Sequence, residues 1–285
     1  MYTTTKYHKV PDGTLAYDIT GEGPALIFLP GWPFNRQTYR KLIPALESHF
    51  TCINIDTLGL GESKWQKHTD FSIRGHVNNL ISLMTALNLT KYSLLSFNSG
   101  GAIARTLAAQ EGAKIANLIL LNTDIPGKRP PWLALYRLMF RTQFGRKILN
   151  THLVKKYLIP SNIMLGLTFN DVSVIDDEFM KLFITPMVSK PLYFEGLGNY
   201  LRGFSYKEVD NFDDMSGVHQ SISAPVHMIW GEEDPTFPLK YGERMANTIP
   251  ALKSFNTIPK TRLLPHEEKP GLVLEALFKS LKLNY

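Results

Sequence analysis

The sequence predicts an α/β fold, in which a doubly wound, mostly parallel sheet carries an inserted helical cap. Three observations lead to this prediction. Short apolar runs end at turn residues, helix-length amphipathic segments separate these runs, and one long stretch breaks the alternation. Strands that are apolar on both faces are typical of parallel sheets, because helices cover both faces of such a sheet.

Composition supports a large globular core. Of the 285 residues, 44% are hydrophobic and 20% are charged. This mixture excludes a disordered, collagen-like or coiled-coil protein. The formal net charge is +6, and Lys and Arg are scattered along the chain without a basic helix interleaved with aromatic residues. We therefore expect no nucleic-acid partner.

The elements are predicted in chain order from the apolar patterns. Residues 2–20 form an antiparallel hairpin that turns at Pro11-Asp12-Gly13, because these three residue types favour tight turns. Five buried strands are predicted at 25–29, 52–55, 92–97, 117–121 and 225–230. Four helices are predicted at 36–48, 73–87, 100–111 and 272–283.

Residues 125–221 do not follow the alternation of strands and helices. They hold 14 of the 32 aromatic residues and five of the nine Met, and the segments 132–149 and 177–188 have helical length. A loop of this length must have its own structure. We therefore predict a helical cap at 125–221 over a core domain formed by 1–124 and 222–285. Its aromatic and Met side chains suit a lid over an apolar pocket, or serve only to hold the cap on the core.

Other sequence features limit cofactors and location. A single Cys excludes a disulfide framework, and the eight His show no metal-ligand spacing, so we expect no metal and no cofactor. The start of the chain has no apolar signal segment, and no run approaches the roughly 18 apolar residues of a membrane span. We expect a cytoplasmic protein without a membrane partner, which binds a small apolar or amphipathic molecule; a homodimer is left open.

Five motifs follow the predicted strands in order. They are Leu29-Pro30-Gly31-Trp32-Pro33, Asp56-Thr57-Leu58-Gly59-Leu60-Gly61-Glu62-Ser63, Ser96-Phe97-Asn98-Ser99-Gly100-Gly101, Ile229-Trp230-Gly231-Glu232-Glu233-Asp234-Pro235 and Pro265-His266-Glu267-Glu268-Lys269-Pro270. In these motifs the sequence resembles the α/β-hydrolase superfamily, in the capped group that includes epoxide hydrolases, haloalkane dehalogenases and carbon–carbon hydrolases. The resemblance implies an α/β-hydrolase fold with an oxyanion loop, a D-x-x-G-x-G-x-S turn, a nucleophile elbow, an acid-bearing turn and the segment before the last helix.

The motifs depart from the family pattern at two catalytic positions. Asn98 stands at the nucleophile position of the elbow, and a carboxamide is a poor nucleophile that does not ionise near neutral pH. The first Gly of the elbow is replaced by Ser96. In the family the catalytic His lies about seven residues before the proline that matches Pro270, which falls on Leu263, next to Arg262. The resemblance therefore implies a triad without its nucleophile and its base.

Several candidate site residues remain. The resemblance implies an acid at Asp234 or, as in some relatives, at Asp124, although a turn or a helix cap also explains either residue. It also implies an oxyanion site at Gly31 and Trp32 with the backbone N–H of Ser99. His266 is the His nearest to the segment where the family carries its catalytic His, and it would reach the site only if the loop before it is rearranged.

These residues leave several functional hypotheses open. The first is an enzyme that stabilises an oxyanion or enolate without a covalent intermediate, in a cyclase, isomerase or lyase reaction. The second is a hydrolase of esters, epoxides or carbon–carbon bonds with a relocated dyad of Ser99 or Ser96 with His266. The third is a non-catalytic binding protein or receptor. A laboratory substitution, or deamidation of Asn98 to a nucleophilic Asp, would also explain the elbow.

Overall fold

A computed structural model describes residues 4–149, 151–158, 161, 165–215 and 217–283. In this part of the chain nine strands form one sheet. The strands are β1 Lys6–Val10, β2 Gly13–Thr20, β3 Ala25–Leu29, β4 Thr51–Asp56, β5 Lys64–Trp65, β6 Tyr92–Asn98, β7 Ile115–Thr123, β8 Val226–Gly231 and β9 Leu252–Ile258. Their order is β1-β2-β4-β3-β6-β7-β8-β9, and β5 pairs with β2.

In spatial order, the strands β4-β3-β6-β7-β8-β9 are parallel, whereas the pairings of β2 are antiparallel. The pairs β3–β4, β3–β6, β6–β7, β7–β8 and β8–β9 are parallel, whereas β2 runs antiparallel to β1, β4 and β5. Every residue of β3 and β6 is buried, as expected for central strands that helices cover on both faces. The predicted doubly wound sheet is confirmed, and residues 2–3 of the predicted hairpin lie outside the described residues.

Helices connect the strands and form the insert. The α-helices are α1 Ile43–Leu46, α2 Ile73–Ala86, α3 Ser99–Glu111, α4 Pro131–Arg141, α5 Gln143–Leu149, α6 Asp177–Phe179, α7 Thr185–Ser189, α8 Pro191–Gly203, α9 Tyr206–Asp210, α10 Val218–Ser221, α11 Leu239–Ala246, α12 Pro265–Glu268 and α13 Pro270–Leu281. Short 3₁₀ or π turns lie at Arg36–Tyr39, Gly112–Lys114, Val154–Leu158, Val172–Val174 and Met180–Ile184.

Two predicted helices are broken for local reasons. The segment predicted at 36–48 is a 3₁₀ turn followed by α1, because the Asn35 side chain accepts the N–H of Gln37 and Pro44 lacks an N–H for a continuous helix. The segment predicted at 132–149 is interrupted at Thr142, which is extended and accepts the N–H of Gly145 with its hydroxyl. The chain therefore changes direction at Thr142 and starts α5.

A helical insert lies between β7 and β8, where the described residues form no further strand of the sheet. The chain segments that enter and leave this insert touch each other. The N–H of Gly127 donates to Asp210 over 2.9 Å, Arg129 forms an ion pair with Asp210, and Arg129 also donates to the carbonyl of Tyr206 over 2.6 Å. We call these four residues the neck of the insert. The division into a cap and a core domain stays a prediction.

Aromatic side chains of the insert pack on the core. The ring of Phe34, after β3, lies 6.3 Å from that of Phe179 and 5.6 Å from that of Phe183, centroid to centroid. On α8, the ring of Tyr200 lies 4.8 Å from that of His76 on α2. Part of the aromatic enrichment in the insert therefore holds it on the core.

Candidate functional site

The elbow between β6 and α3 is a sharp and crowded turn. Asn98 has φ = 50° and ψ = −137°, a backbone conformation that is unusual for a residue other than Gly. A Cβ on Gly31 would clash with the Asn98 Cβ and the Phe97 carbonyl, and one on Gly101 would clash with the Thr123 side chain. The predicted site residue Gly31 thus has a steric role, because its missing side chain lets the loop after β3 approach the elbow.

The carboxamide of Asn98 is held at both ends. Its Nδ2 donates to the carbonyl of Trp32 over 2.8 Å, and its Oδ1 accepts the N–H of Ser99 over 2.6 Å. These two contacts fix which end of the amide is nitrogen. A carboxylate in the same place would direct an oxygen at the Trp32 carbonyl, so the contacts suit an Asn and not an Asp.

Two hydrogen-bond donors converge on the side-chain oxygen of Ser99. The N–H of Trp32 and the hydroxyl of Tyr200 both donate to Ser99 Oγ, each over 2.9 Å. The indole N–H of Trp32 donates to the carbonyl of Leu197 over 3.1 Å, so α8 of the insert is bonded to the loop after β3. The predicted N–H donors of Trp32 and Ser99 are therefore next to each other, but protein oxygens occupy both.

Asp124 lies immediately after β7, beside the elbow. The preceding Thr123 donates its hydroxyl to the carbonyl of Asn98 over 2.8 Å. The Asp124 carboxyl is buried, and its Oδ2 has no hydrogen-bond partner among the described residues. Burial raises the pKa of Asp124 to about 7, although the positive charge of Arg105 acts in the opposite direction. Burial is the main cause of a raised pKa of Tyr200, and the negative charge of Asp124 also contributes to that rise.

Arg105 is a fully buried cation on α3, below the elbow. Its guanidinium donates to the carbonyls of Gly101 and Asp124 over 3.2 and 2.6 Å, and its Nη1 lies 2.9 Å from Nε2 of His219. Burial lowers the pKa of Arg105 to about 10, and the charge of Asp124 acts in the opposite direction. Its Nη1 also donates to the sulfur of Met245 over 3.2 Å. All four hydrogen-bond partners are neutral groups, so the Asp124 carboxylate is the principal counter-charge of Arg105.

Asp234 is bound within a turn. Its Oδ2 accepts the side-chain N–H of Asn122 and its Oδ1 accepts the N–H of Thr236, both over 2.7 Å. Asn122 also accepts the N–H of Gly231, which links the ends of β7 and β8. Burial raises the pKa of Asp234 to about 6. Because both carboxyl oxygens are engaged, the contacts support a turn-forming role for Asp234.

His266 lies in the core and does not contact the elbow serines through a hydrogen bond. Its Nε2 is 2.8 Å from Thr38 Oγ1, and its ring stacks on that of Tyr39 with centroids 5.5 Å apart. Burial lowers its pKa to about 3. Ser96 Oγ is buried without a described partner, and Ser99 is bonded to Trp32 and Tyr200. Neither proposed dyad with His266 is assembled in this structure.

Three residues that lie at or below the elbow were not predicted from the sequence. They are Tyr200, Arg105 and His219. The aromatic enrichment of the insert was the only signal for Tyr200, and no local pattern marked the other two. Among the described residues, no group of three or more His, Cys, Asp and Glu is placed to hold a metal ion. No helix in the described part of the chain is long and apolar enough to cross a membrane.

Two of the pockets on the described surface lie away from the elbow. One lies between α2, α3 and α10, and the other lies between residues 66–71 and α8. Neither pocket is lined by Asn98, Ser99 or Asp124. Asn98, Ser99 and Asp124 are themselves buried.

Comparisons with known proteins agree with this fold. A family model described as alpha/beta hydrolase fold matches residues 24–270. The uncharacterized hydrolase YugF of Bacillus subtilis is 24% identical over 90% of this chain and 89% of its own length. A haloalkane dehalogenase of Mesorhizobium japonicum is 24% identical over 67% of this chain and 63% of its own length.

Solved structures with the same fold have low sequence identity to this chain. A thermophilic esterase from Thermogutta terrifontis superposes with a TM-score of 0.78 at 23% identity, covering 97% of this chain and 98% of the esterase. The epoxide hydrolase CorEH superposes with a TM-score of 0.78 at 18% identity, covering 98% of both chains. These likenesses concern the fold.

Proposed function

Because the chain belongs to the α/β hydrolase fold family, we propose that it is an enzyme that acts on a small apolar or amphipathic molecule without a covalent intermediate. The observation that carries this proposal is the Asp124 carboxyl, which is buried beside the elbow with a free Oδ2 and a pKa of about 7. A group with this pKa can both take and return a proton near neutral pH. The reaction class is isomerisation, cyclisation or a lyase reaction.

The donors at the elbow would stabilise negative charge on a substrate oxygen. A rotation of Ser99 about χ1 frees the N–H of Trp32 and the hydroxyl of Tyr200, which now share Ser99 Oγ. A substrate oxygen that replaces Ser99 Oγ receives both hydrogen bonds. Asn98 has a second N–H, besides the one bonded to Trp32, that can add a third. Donors held in place before the reaction lower the energy of an oxyanion or enolate.

Asp124 would supply the proton transfer. Its Oδ2 takes a proton from a carbon next to a carbonyl, the C–H electron pair forms a C=C bond, and the π pair of the carbonyl moves to its oxygen. When the carbonyl forms again, the C=C pair takes the proton back from Asp124 at another atom of the product. Arg105 limits the rise in the pKa of Asp124, so that the carboxylate form is available near pH 7. Both charges are buried, which strengthens their interaction.

Two features argue against covalent catalysis. The Asn98 carboxamide is not a nucleophile, and its contacts do not suit an Asp formed by deamidation. Ser99 carries a hydroxyl, but its Oγ accepts hydrogen bonds from the N–H of Trp32 and the hydroxyl of Tyr200, and neither of these groups is a base. The names of the solved relatives, which include an esterase and an epoxide hydrolase, support a substrate that contains oxygen.

Proton exchange in heavy water tests the proposal. Protein whose intact mass confirms the amide at Asn98 is incubated with 2-heptanone, cyclohexanone and phenylacetone, and deuterium next to the carbonyl is followed by NMR. We expect exchange whose rate rises through about pH 7 and falls about 10²–10⁴-fold in Asp124→Asn, since that variant has no base. Asn98→Ala should reduce the rate about 10²–10³-fold with little change in ketone binding.

A parallel panel of esters, epoxides and haloalkanes separates the alternatives. Hydrolysis that survives Asp124→Asn, together with labelling of Ser99 by a fluorophosphonate, would contradict the proposal and support a serine hydrolase. The matched control is Asp214→Asn, because Asp214 is exposed and carries the same change in charge.

A second candidate function is a non-catalytic binding protein. The observation that favours it is that the polar groups at the elbow form hydrogen bonds with one another, namely those of Trp32, Asn98 and Ser99. Such a protein would bind an apolar ketone or ester, detected as a rise in Tm, without exchange or hydrolysis in either panel.

A further inference from the structure

One part of the insert exposes large apolar side chains. Six of the ten large apolar side chains that are exposed in the described part of the chain fall within 24 residues of α4, α5 and the turn that follows. We call these six the apolar cap face. They are Leu135, Leu138, Phe144, Leu153, Tyr157 and Leu158.

The local structure explains why these side chains point away from the core. On α4, Leu133 is 8% exposed and packs inward, whereas Leu135 and Leu138 are each 59% exposed and lie three residues apart on one side of the helix. Phe144 on α5 is 74% exposed and Leu153 is 69% exposed. Monomeric soluble proteins rarely expose apolar side chains in such a group, and larger exposed patches mark contact with another surface.

The same stretch carries the whole positive excess of the chain. Residues 125–170 contain eight Lys or Arg and no Asp or Glu, whereas the rest of the sequence has 23 basic and 25 acidic residues. Within 141–158 alone there are five Lys or Arg, and Lys147, the one whose side chain the structure describes, is exposed. Of the others, Arg129 is bonded to Asp210 at the neck. The apolar cap face therefore lies in a strongly cationic segment.

We propose that the apolar cap face docks on the surface of an anionic phospholipid membrane. Apolar side chains enter the boundary between headgroups and acyl chains, and nearby Lys and Arg are attracted to the negative headgroups. A second copy of the chain does not fit this face equally well, because a two-fold interface would bring two copies of the same cationic segment together. The proposed surface contact differs from the expectation of no membrane partner, which was drawn from the lack of a run of about 18 apolar residues. It does not depend on the proposed reaction.

Vesicle flotation tests the docking surface with the full chain. Purified protein is mixed with vesicles of phosphatidylcholine that contain about one-third phosphatidylglycerol, and with vesicles of phosphatidylcholine alone. We expect the protein to float with the anionic vesicles at about 0.05 M salt, to be released at about 0.5 M salt, and to stay unbound with the neutral vesicles.

Paired variants then separate charge from apolar contact. Lys155→Gln with Lys156→Gln should weaken binding about 30-fold in total, since each lysine of a cationic segment at an anionic surface contributes about fivefold. Phe144→Ser with Leu153→Ser should also abolish flotation, because the apolar anchors are removed. Lys253→Gln on β9 and Leu272→Ser on α13 are the matched controls, because both residues are exposed outside the insert, and these variants should bind as the unmodified protein does. An unchanged Tm in each variant excludes misfolding as the cause.

Three results would overturn the proposal. The first is no flotation with anionic vesicles at low salt. The second is equal binding to neutral vesicles, without salt dependence. The third is a dimer in the absence of lipid that Phe144→Ser with Leu153→Ser dissociates, because the face would then belong to a second copy.

Discussion

At the scale of single residues, the elbow is organised around an amide that donates on one side and accepts on the other. The motif identified the position of Asn98, but not the orientation of its side chain, because the two partners come from different parts of the fold. Trp32 reaches it from the loop after β3, and Ser99 follows it on α3. Asp124 was likewise predicted as a candidate, whereas its raised pKa depends on burial that one sequence does not reveal.

Asn98→Asp tests the amide orientation. We expect a loss of about 1–3 kcal/mol in the free energy of unfolding above the carboxyl pKa, because a carboxylate oxygen would face the Trp32 carbonyl. Urea unfolding at pH 8 measures this loss, which should shrink at lower pH as the new carboxyl is protonated. Asn88→Asp is the matched control, since Asn88 also has a positive φ but is exposed. Equal stability of both variants would contradict the assigned orientation.

Asp124→Asn tests the raised pKa of the carboxyl. A folded pKa of about 7 lies above the ordinary value of 3.8, so the folded state holds the proton more tightly than the unfolded chain. The stability of the unmodified protein should therefore fall as the pH rises from about 4 to about 7. We expect the variant to have the higher Tm at pH 8 and a similar Tm at pH 5, measured by calorimetry. A difference in Tm that does not change with pH would be inconsistent with this pKa.

At the scale of elements, the pattern of apolar runs was sufficient for the central strands and for α2, α3 and α13. It was insufficient where a local side chain or the sheet edge decides the structure. Thr142 breaks a helix with its hydroxyl, and β9 is a half-exposed edge strand with mixed polarity that no apolar run marked. The cluster below the elbow was also missed, because α3 and α10 contribute Arg105 and His219, which are 114 residues apart.

Arg105→Lys tests how α3 supports the elbow. Lysine keeps the charge but cannot reach the carbonyls of Gly101 and Asp124 and the ring of His219 together. We expect a loss of about 2–3 kcal/mol in the free energy of unfolding, because buried acceptors lose their donor. Urea unfolding measures the loss. The matched control is Arg74→Lys on α2, where the side chain is exposed; a loss of similar size there would show that the effect is not specific to the buried site.

At the scale of the whole molecule, the insert is joined to the sheet through the neck and rests on it through aromatic packing. The neck contacts lie at 127–129 and 206–210, inside the limits of 125–221 predicted from the end of the strand pattern. The sequence could not locate them, because an ion pair between residues 129 and 210 leaves no local pattern.

Asp210→Asn tests the neck. We expect faster cleavage of the insert by trypsin, because the ion pair with Arg129 is lost and the two chain segments separate more often. The free energy of unfolding should change by less than about 1 kcal/mol, since the pair is partly exposed. Limited proteolysis and urea unfolding measure the two effects, and Asp214→Asn is the control. Unchanged cleavage would mean that packing alone holds the insert in place.

The neck also makes the insert exchangeable in evolution. A segment whose two ends meet can be replaced by another of different length while the strands on either side keep their pairing. In this chain, replacement of the insert would remove Tyr200, which donates a hydrogen bond to Ser99 at the elbow. A lineage that acquired a new segment there would therefore change the hydrogen bonds at Ser99 in the same event, so that the insert and the contacts of the elbow beneath it are inherited together.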